Sequence, residues 1–177
     1  MIHVFIGLGA NIQHPGSQLQ RATAQLAQHP GCELIGCSRV YESPPMGPQD
    51  QPNFLNAVLR LATSVPPVEL LEALQSIERE LGRVKVRHWG ERCIDLDLLM
   101  YGQGETAITM TSESLTLPHP GIYDRDFVLR PLHDLVGPHY QMPNGEEIGT
   151  LLAACSTAEL AVVDLDLNPA QRFGERR

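Results

Sequence analysis

A chain of 177 residues with 42% hydrophobic content has the length of one ordinary domain and can bury roughly two-thirds of the surface its unfolded form exposes. Its formal net charge of -8 opposes a general affinity for nucleic acid or an anionic membrane, so a polyanionic ligand has to be held by a local cationic patch. Cys32, Cys37, Cys93 and Cys155 form neither a C-x-x-C pair nor a regular spacing. That argues against a zinc site and a disulfide framework and for a reducing cytoplasm. With no leader-like basic and apolar N-terminus and no apolar run of membrane-spanning length, export or anchoring is not expected.

Ile2, Val4, Ile6 and Leu8 alternate before the turn-prone Gly9-Ala10-Asn11, which predicts a first strand from Ile2 to Leu8. Ser17 is expected to cap a helix with Leu19, Ala22 and Leu26 on one face, and Pro30-Gly31 to end it. A second strand is expected from about Cys32 to Tyr41. Ser43 to Pro52 then holds four prolines and a glycine, a stiff, surface-exposed loop of the kind that often carries ligand contacts. Phe54 to Thr63 alternates, with Leu55, Ala57, Leu59 and Leu61 on one face and Phe54, Asn56, Val58 and Arg60 on the other, a third strand.

Pro66-Pro67 opens a helix in which Leu70, Leu74, Ile77 and Leu81 share a face, with Gly82 as its stop and Gln75 and Glu78 on a neighbouring face. A fourth strand from about Cys93 to Tyr101 completes the order strand, helix, strand, strand, helix, strand. This is the split βαβ order of a ferredoxin-like α/β sheet in a single domain. A short strand around Ser114 to Leu117, a corner at Pro118-His119-Pro120, a short helix near Tyr123, a turn at Pro143-Asn144-Gly145 and a last helix follow. The domain is expected to span residues 1–160, and residues after about Leu160 read as an appendage without an assigned role.

The most informative stretch runs from Arg83 to Asp97. Arg83, Lys85, Arg87 and Arg92 face one acid, Glu91, within ten positions, a local charge of about +3 in an acidic chain. A mobile cationic loop is expected there. On the strand after it, Asp95 and Asp97 are two apart, so their carboxylates share a face while Ile94, Leu96 and Leu98 point to the core. They are either the solvated face of an amphipathic strand or a site for Mg²⁺, held by one or two carboxylates with water and substrate phosphates completing its shell. The flanking arginines, suited to charge on phosphate oxygens, favour the metal. Asp164-Leu165-Asp166 repeats the pattern without a basic loop and reads as solvent-facing. Trp89, the only tryptophan, lies in a charged, glycine-bearing loop, where a planar ligand or an arginine suits it as a stacking partner. His119 at its rigid corner is either structural or a donor to phosphate. No G-x-x-x-x-G-K-[ST] loop is present, and Gly7-x-Gly9 is followed by Ile12 where a dinucleotide fingerprint has its third glycine, which disfavours P-loop and Rossmann enzymes.

Four segments, Y-E-S-P-P-M-G-P-Q-D-Q-P-N-F-L-N (41 to 56), E-R-E-L-G-R-V (78 to 84), H-W-G-E-R-C-I-D-L-D-L-L (88 to 99) and L-P-H-P...R-D-F-V-L-R-P-L (117 to 132), closely resemble 6-hydroxymethyl-7,8-dihydropterin pyrophosphokinase of folate biosynthesis. The resemblance covers roughly residues 1 to 155. It implies a ferredoxin-like fold, transfer of pyrophosphate from ATP to the 6-hydroxymethyl group of the pterin, release of AMP, and two Mg²⁺ ions bridged by Asp95 and Asp97. By the same carry-over the pterin lies between Phe127 and Trp89, with Ser43, Pro44, Met46, Phe54 and Asn56 around it. The nucleotide meets Gln75, Glu78, Lys85, Trp89, Arg92, Leu98, Thr116, His119 and Arg125, while Arg83 and Arg92 neutralise the triphosphate. Ser114 and Gly121 stand where relatives often carry a basic residue, and Glu91 where they carry proline, which implies a weaker grip on ATP. The expected partners are the two small-molecule substrates and the expected state is a monomer. A non-catalytic nucleotide or pterin sensor and a γ-phosphate kinase of a small alcohol are the alternatives, and the product nucleotide separates them.

Overall fold

A computed structural model describes residues 1–83, 88–156 and 159–169. Eight strands and four α-helices follow in the order β1 (Ile2–Ala10), α1 (Pro15–Gln28), β2 (Cys32–Cys37), β3 (Val40–Ser43), β4 (Phe54–Thr63), α2 (Pro67–Glu80), β5 (Asp95–Tyr101), β6 (Met110–Thr111), β7 (Thr116–Leu117), α3 (Asp126–Val136), α4 (Ile148–Ala153) and β8 (Ala161–Val163) among the described residues. The main sheet runs β5-β1-β4-β3-β8, with β2 also paired to β4, and each of these pairings is antiparallel. The small hairpin β6-β7 stands apart. No helix among the described residues is long and apolar enough to cross a membrane.

Both faces of the sheet are covered, each by a pair of helices. On the first, Leu19, Ala22 and Leu26 of α1 and Leu70, Leu74 and Ile77 of α2 bury against Val4, Ile6, Leu8, Leu59, Leu61, Leu96 and Leu98. On the second, Leu129 and Leu132 of α3 and Ile148 and Leu152 of α4 cover Phe5, Val58 and Leu99. The two-residue period of β4 sorts its side chains between these cores as its sequence predicts. Where β1 reaches Gly7 and Gly9, the second face has no side chain to fill it, and an open floor results.

Several expectations need correction. Ser17 lies inside α1, not at its cap: Pro15, whose fixed φ suits a first helical position, starts the helix earlier, after His14. The single strand expected from Cys32 to Tyr41 is two, because the Ser38 hydroxyl accepts the Val58 N–H at 2.8 Å and interrupts the ladder before Arg39. Near Tyr123 there is only a 3-10 turn, Pro120–Ile122. The true helix is α3, which was not expected because Pro131 sits inside it; packing of Leu129 and Leu132 outweighs the hydrogen bond that proline removes. Strand β6 was also missed, and β5 begins at Asp95 rather than Cys93. Of the segment after Leu160, residues 161–169 are described: β8 pairs with β3, and Leu167 joins the core at 1% exposure.

Candidate active site

The cleft lies on the second face, over the glycines of β1. Gly7 and Gly9 pair with Asp97 and Asp95 of β5 and with Val58 and Asn56 of β4, so β1 carries no side-chain bulk between the two carboxylates on one side and the amide on the other. A Cβ on Gly9 would come within 3.1 Å of Asn56 Oδ1, so even alanine would crowd this floor. The cleft holds about 320 Å³. Its apolar side is built by Pro44, Met46, Phe54, Trp89 and Phe127, and its polar side by Arg92, Asp95, Asp97, His119 and Arg125.

The apolar side is anchored by a buried pair. Asn56 Nδ2 donates to Ser43 Oγ at 2.7 Å, joining the end of β3 to β4. Phe127 stands in the first turn of α3. Opposite it, Trp89 takes a left-handed backbone, φ 55°, with the Arg125 guanidinium 5.5 Å from its ring centre. This is the arginine partner the loop composition suggests. Trp89 remains 39% exposed, leaving aromatic surface for a planar ligand.

On the polar side Asp95 collects two arginines, with Arg92 Nη1 at 2.9 Å from Oδ2 and Arg83 Nη1 at 3.1 Å from Oδ1. Arg83 also pairs with Glu78, whose Oε2 accepts the Leu96 N–H at 3.1 Å. Among the described residues nothing donates to the Asp97 carboxylate. Burial first, then the charges of Asp95 and Glu78, push its pKa well above the usual carboxylate range. Two same-face carboxylates opening into a cleft, one of them without a hydrogen-bond donor among the described residues, fit a divalent cation that takes its remaining oxygens from water and phosphate. Among the described residues no cluster of three or more acidic, histidine or cysteine ligands forms an all-protein cage.

His119 accepts the Gly121 N–H on Nδ1 at 3.0 Å, which leaves Nε2 to carry the proton in the neutral ring. Burial and then Arg125 lower its pKa. Arg125 lies across Gly121, where a Cβ would sit 2.5 Å from its Nε. The missing side chain at 121 is thus what gives this guanidinium room.

Not every expected contact is in the cleft. Gln75 is exposed on α2, Glu78 is 5% exposed and engaged with Arg83 and the β5 backbone, the Leu98 side chain is in the first core, and Thr116 is exposed on β7. Lys85 lies outside the described residues. Sequence reasoning missed Gly7 and Gly9, whose meaning appears only once their neighbours across the sheet are known. It also missed a buried bridge between loops. Asn11 Nδ2 donates to Gln51 Oε1 at 3.0 Å, Asn11 Oδ1 accepts the Arg92 N–H at 2.9 Å, and Gln51 Nε2 donates to the Trp89 carbonyl at 2.9 Å. The second aspartate pair, Asp164 and Asp166, is exposed as expected.

Residues 5–137 match the family profile described as 7,8-dihydro-6-hydroxymethylpterin-pyrophosphokinase. Over 152 residues the chain is 41% identical to the 2-amino-4-hydroxy-6-hydroxymethyldihydropteridine pyrophosphokinase of Haemophilus influenzae, covering 86% of this chain and 92% of that one. Its namesake from Pseudomonas aeruginosa is also 41% identical over 152 residues, with 86% and 91% covered. Among solved structures, the HPPK-DHPS chain of Plasmodium falciparum superposes with a TM-score of 0.63 at 15% identity over 86% of this chain. This chain spans 43% of that longer one, and the likeness speaks for the fold alone.

Proposed function

Since the chain belongs to the 7,8-dihydro-6-hydroxymethylpterin-pyrophosphokinase family and transfers pyrophosphate from ATP to the hydroxymethyl group of a dihydropterin in folate biosynthesis, we propose that this transfer takes place over Gly7 and Gly9, with Mg²⁺ at Asp95 and Asp97. The single observation that carries the placement is the Asp97 carboxylate, without a hydrogen-bond donor among the described residues and with its pKa raised by burial and by Asp95, beside an arginine-bound Asp95.

The pterin ring stacks between Phe127 and Trp89, its edge meeting the Ser43–Asn56 pair, with Pro44, Met46 and Phe54 as its apolar surround. That pose directs the hydroxymethyl group toward the aspartates. The triphosphate occupies the polar side, where Arg92 and Arg83 hold guanidinium forks at the carboxylate that also faces the phosphates, and where His119 Nε2 and Arg125 add donors. Bound there, two Mg²⁺ ions would neutralise phosphate charge and orient the β-phosphorus for in-line attack. The side chains do the rest by position: apolar walls exclude water, stacking fixes the hydroxyl, and the guanidinium groups meet charge as the bond to the α-phosphate oxygen breaks. With Asp95 and Asp97 assigned to the metal, no general base stands out among the described residues, and proximity and charge compensation supply the rate. The catalytic domain takes in residues 1–160, with β8 and Leu167 of the following segment packed onto it; it works in the cytoplasm, and as a monomer, since one chain lines the cleft.

Incubation with ATP, Mg²⁺ and the hydroxymethyl dihydropterin tests this directly. AMP as the released nucleotide is the expected result. ADP would mean a γ-phosphate kinase, and no nucleotide product a binding module.

A further inference from the structure

Among the described residues, the strand and the helix that carry Ser43 and Phe127 meet in a polar joint of Tyr41 with Asp134 and Arg130, away from the cleft. Ser43 ends β3, and Phe127 begins α3. Between these ends lies a second cavity of about 530 Å³, bounded by Ser43 and Pro44 on the strand side and Arg125, Asp126 and Phe127 on the helix side. Trp89 also lines it, stacked on Arg125.

The joint is at the other end of the wedge. Asp134, seven residues beyond Phe127 and so about 10 Å further along α3, accepts the Tyr41 hydroxyl at 2.7 Å and three N–H groups of Arg39 at 3.0 to 3.4 Å. Tyr41 is two residues before Ser43 and therefore on the same sheet face. It is 2% exposed, whereas the Arg39 side chain is 53% exposed, so the hydroxyl bond is the sheltered, directional part of the joint. The apolar contacts beneath it, Leu129 and Leu132 against Val58, resist separation but give little directional control. β3 is held on both edges, by β4 and, through Val40↔Val163 and Tyr41↔Val162, by β8, so the joint ties α3 to a fixed strand.

We propose that Asp134, acting through Tyr41, is a positioning residue for the pterin: it sets the gap between Phe127 and the Ser43–Asn56 pair without touching either substrate. This rests on the reading of those residues as pterin contacts. On the triphosphate side, Arg92 and Arg83 lie on the loop before β5 and are independent of the joint, and only Arg125, at the N-cap of α3, is carried by the same helix.

The test uses Tyr41→Phe, which deletes one hydroxyl and keeps the ring, and Asp134→Asn, which keeps an acceptor and loses the charge. Phe127→Ala reports on the underlying reading. Steady-state kinetics with each substrate varied should show the pterin KM raised roughly 3- to 10-fold in Tyr41→Phe and Asp134→Asn, since small misplacements of a positioned reactant are costly, with the ATP KM raised by less. A pterin KM equal to wild type in both variants, alongside a raised one in Phe127→Ala, would overturn the proposal. So would equal rises in both KM values accompanied by a lower Tm, the mark of a merely structural joint. If Phe127→Ala itself left the pterin KM unmoved, the pterin wall would be wrongly assigned, and the inference would fall with it.

Discussion

Arg92 donates from Nη1 to Oδ2 of Asp95 across 2.9 Å, so the guanidinium intended for phosphate is held at the proposed metal ligand before any phosphate arrives. Its fork can make two parallel bonds to phosphate oxygens, whereas a lysine offers a point charge. Arg92→Lys should keep the charge and lose the geometry, and Arg92→Ala should lose both. If the arginine acts where charge builds in the transition state, each change lowers kcat more than it raises KM, with the alanine variant down by ~10² to 10³. An unchanged kcat in Arg92→Ala would reduce this arginine to a surface charge.

The carboxylates allow a comparison inside one chain. Asp95→Ala or Asp97→Ala should lower turnover by at least ~10² with the fold intact, because a bound metal supplies several kcal/mol of charge stabilisation. Asp164→Ala, on the exposed tail pair, should leave turnover unchanged. Chelation of Mg²⁺ should abolish the wild-type reaction and added Mg²⁺ restore it. A damaging tail substitution with a tolerant strand pair, or activity that survives chelation, would remove the metal from this site.

Much of this was legible in the sequence because it depends on short-range periodicity. The alternation in β4 separates Asn56 from Leu55 and Ala57, and the two-residue step from Asp95 to Asp97 places both carboxylates on one face. What was not legible depends on long-range pairing. Gly7 and Gly9 become a floor only when β4 and β5 flank them, and Asn11 gains its meaning from Gln51, 40 positions away. The helix α3 was hidden because Pro131 signals a break locally, while the core contacts that override it come from the sheet. Glu78 shares a helix face with Gln75, yet its carboxylate is drawn to Arg83 and the Leu96 N–H, a preference that no spacing reveals.

His119 gives a prediction with a definite sign. Its Nδ1 caps the Pro120–Ile122 turn by accepting the Gly121 N–H, a role only an unprotonated nitrogen can fill. Burial, then Arg125, lower its folded pKa below the ordinary 6.5. The stability this histidine contributes is therefore fully present above pH 6.5 and is lost as pH falls through the lowered folded value. His119→Asn keeps a capping acceptor that does not titrate. As the solution is acidified below pH 6.5, wild-type Tm should fall further than that of His119→Asn, by about 2–4 °C for the loss of a cap worth ~1 kcal/mol. Parallel Tm curves for the two proteins would show that the cap does not control acid sensitivity.

The last prediction concerns the contact between the proline loop and the tryptophan loop. Gly47 lies so close to Trp89 that a Cβ there would be 2.4 Å from Trp89 Cβ and 2.7 Å from its carbonyl oxygen. Gln51 of the same proline loop already donates to that carbonyl at 2.9 Å. One glycine and one glutamine thus hold the two loops in register, and Trp89 presents its ring to the cleft from a left-handed backbone that a shift of either loop would disturb. In the wild-type protein the emission of Trp89, the only tryptophan, should change on titration with an ATP analogue and the pterin. Gly47→Ala has no free space for its methyl group and must separate the loops. An overlap of this kind costs typically ~1–3 kcal/mol, so the pterin KM should rise by about tenfold or more. The emission of the free enzyme should also shift, because the ring moves before any ligand binds. Wild-type kinetics and wild-type emission in Gly47→Ala would mean that the loops do not need this contact. An emission unaltered by ligands whose binding calorimetry confirms would take Trp89 out of the pterin site.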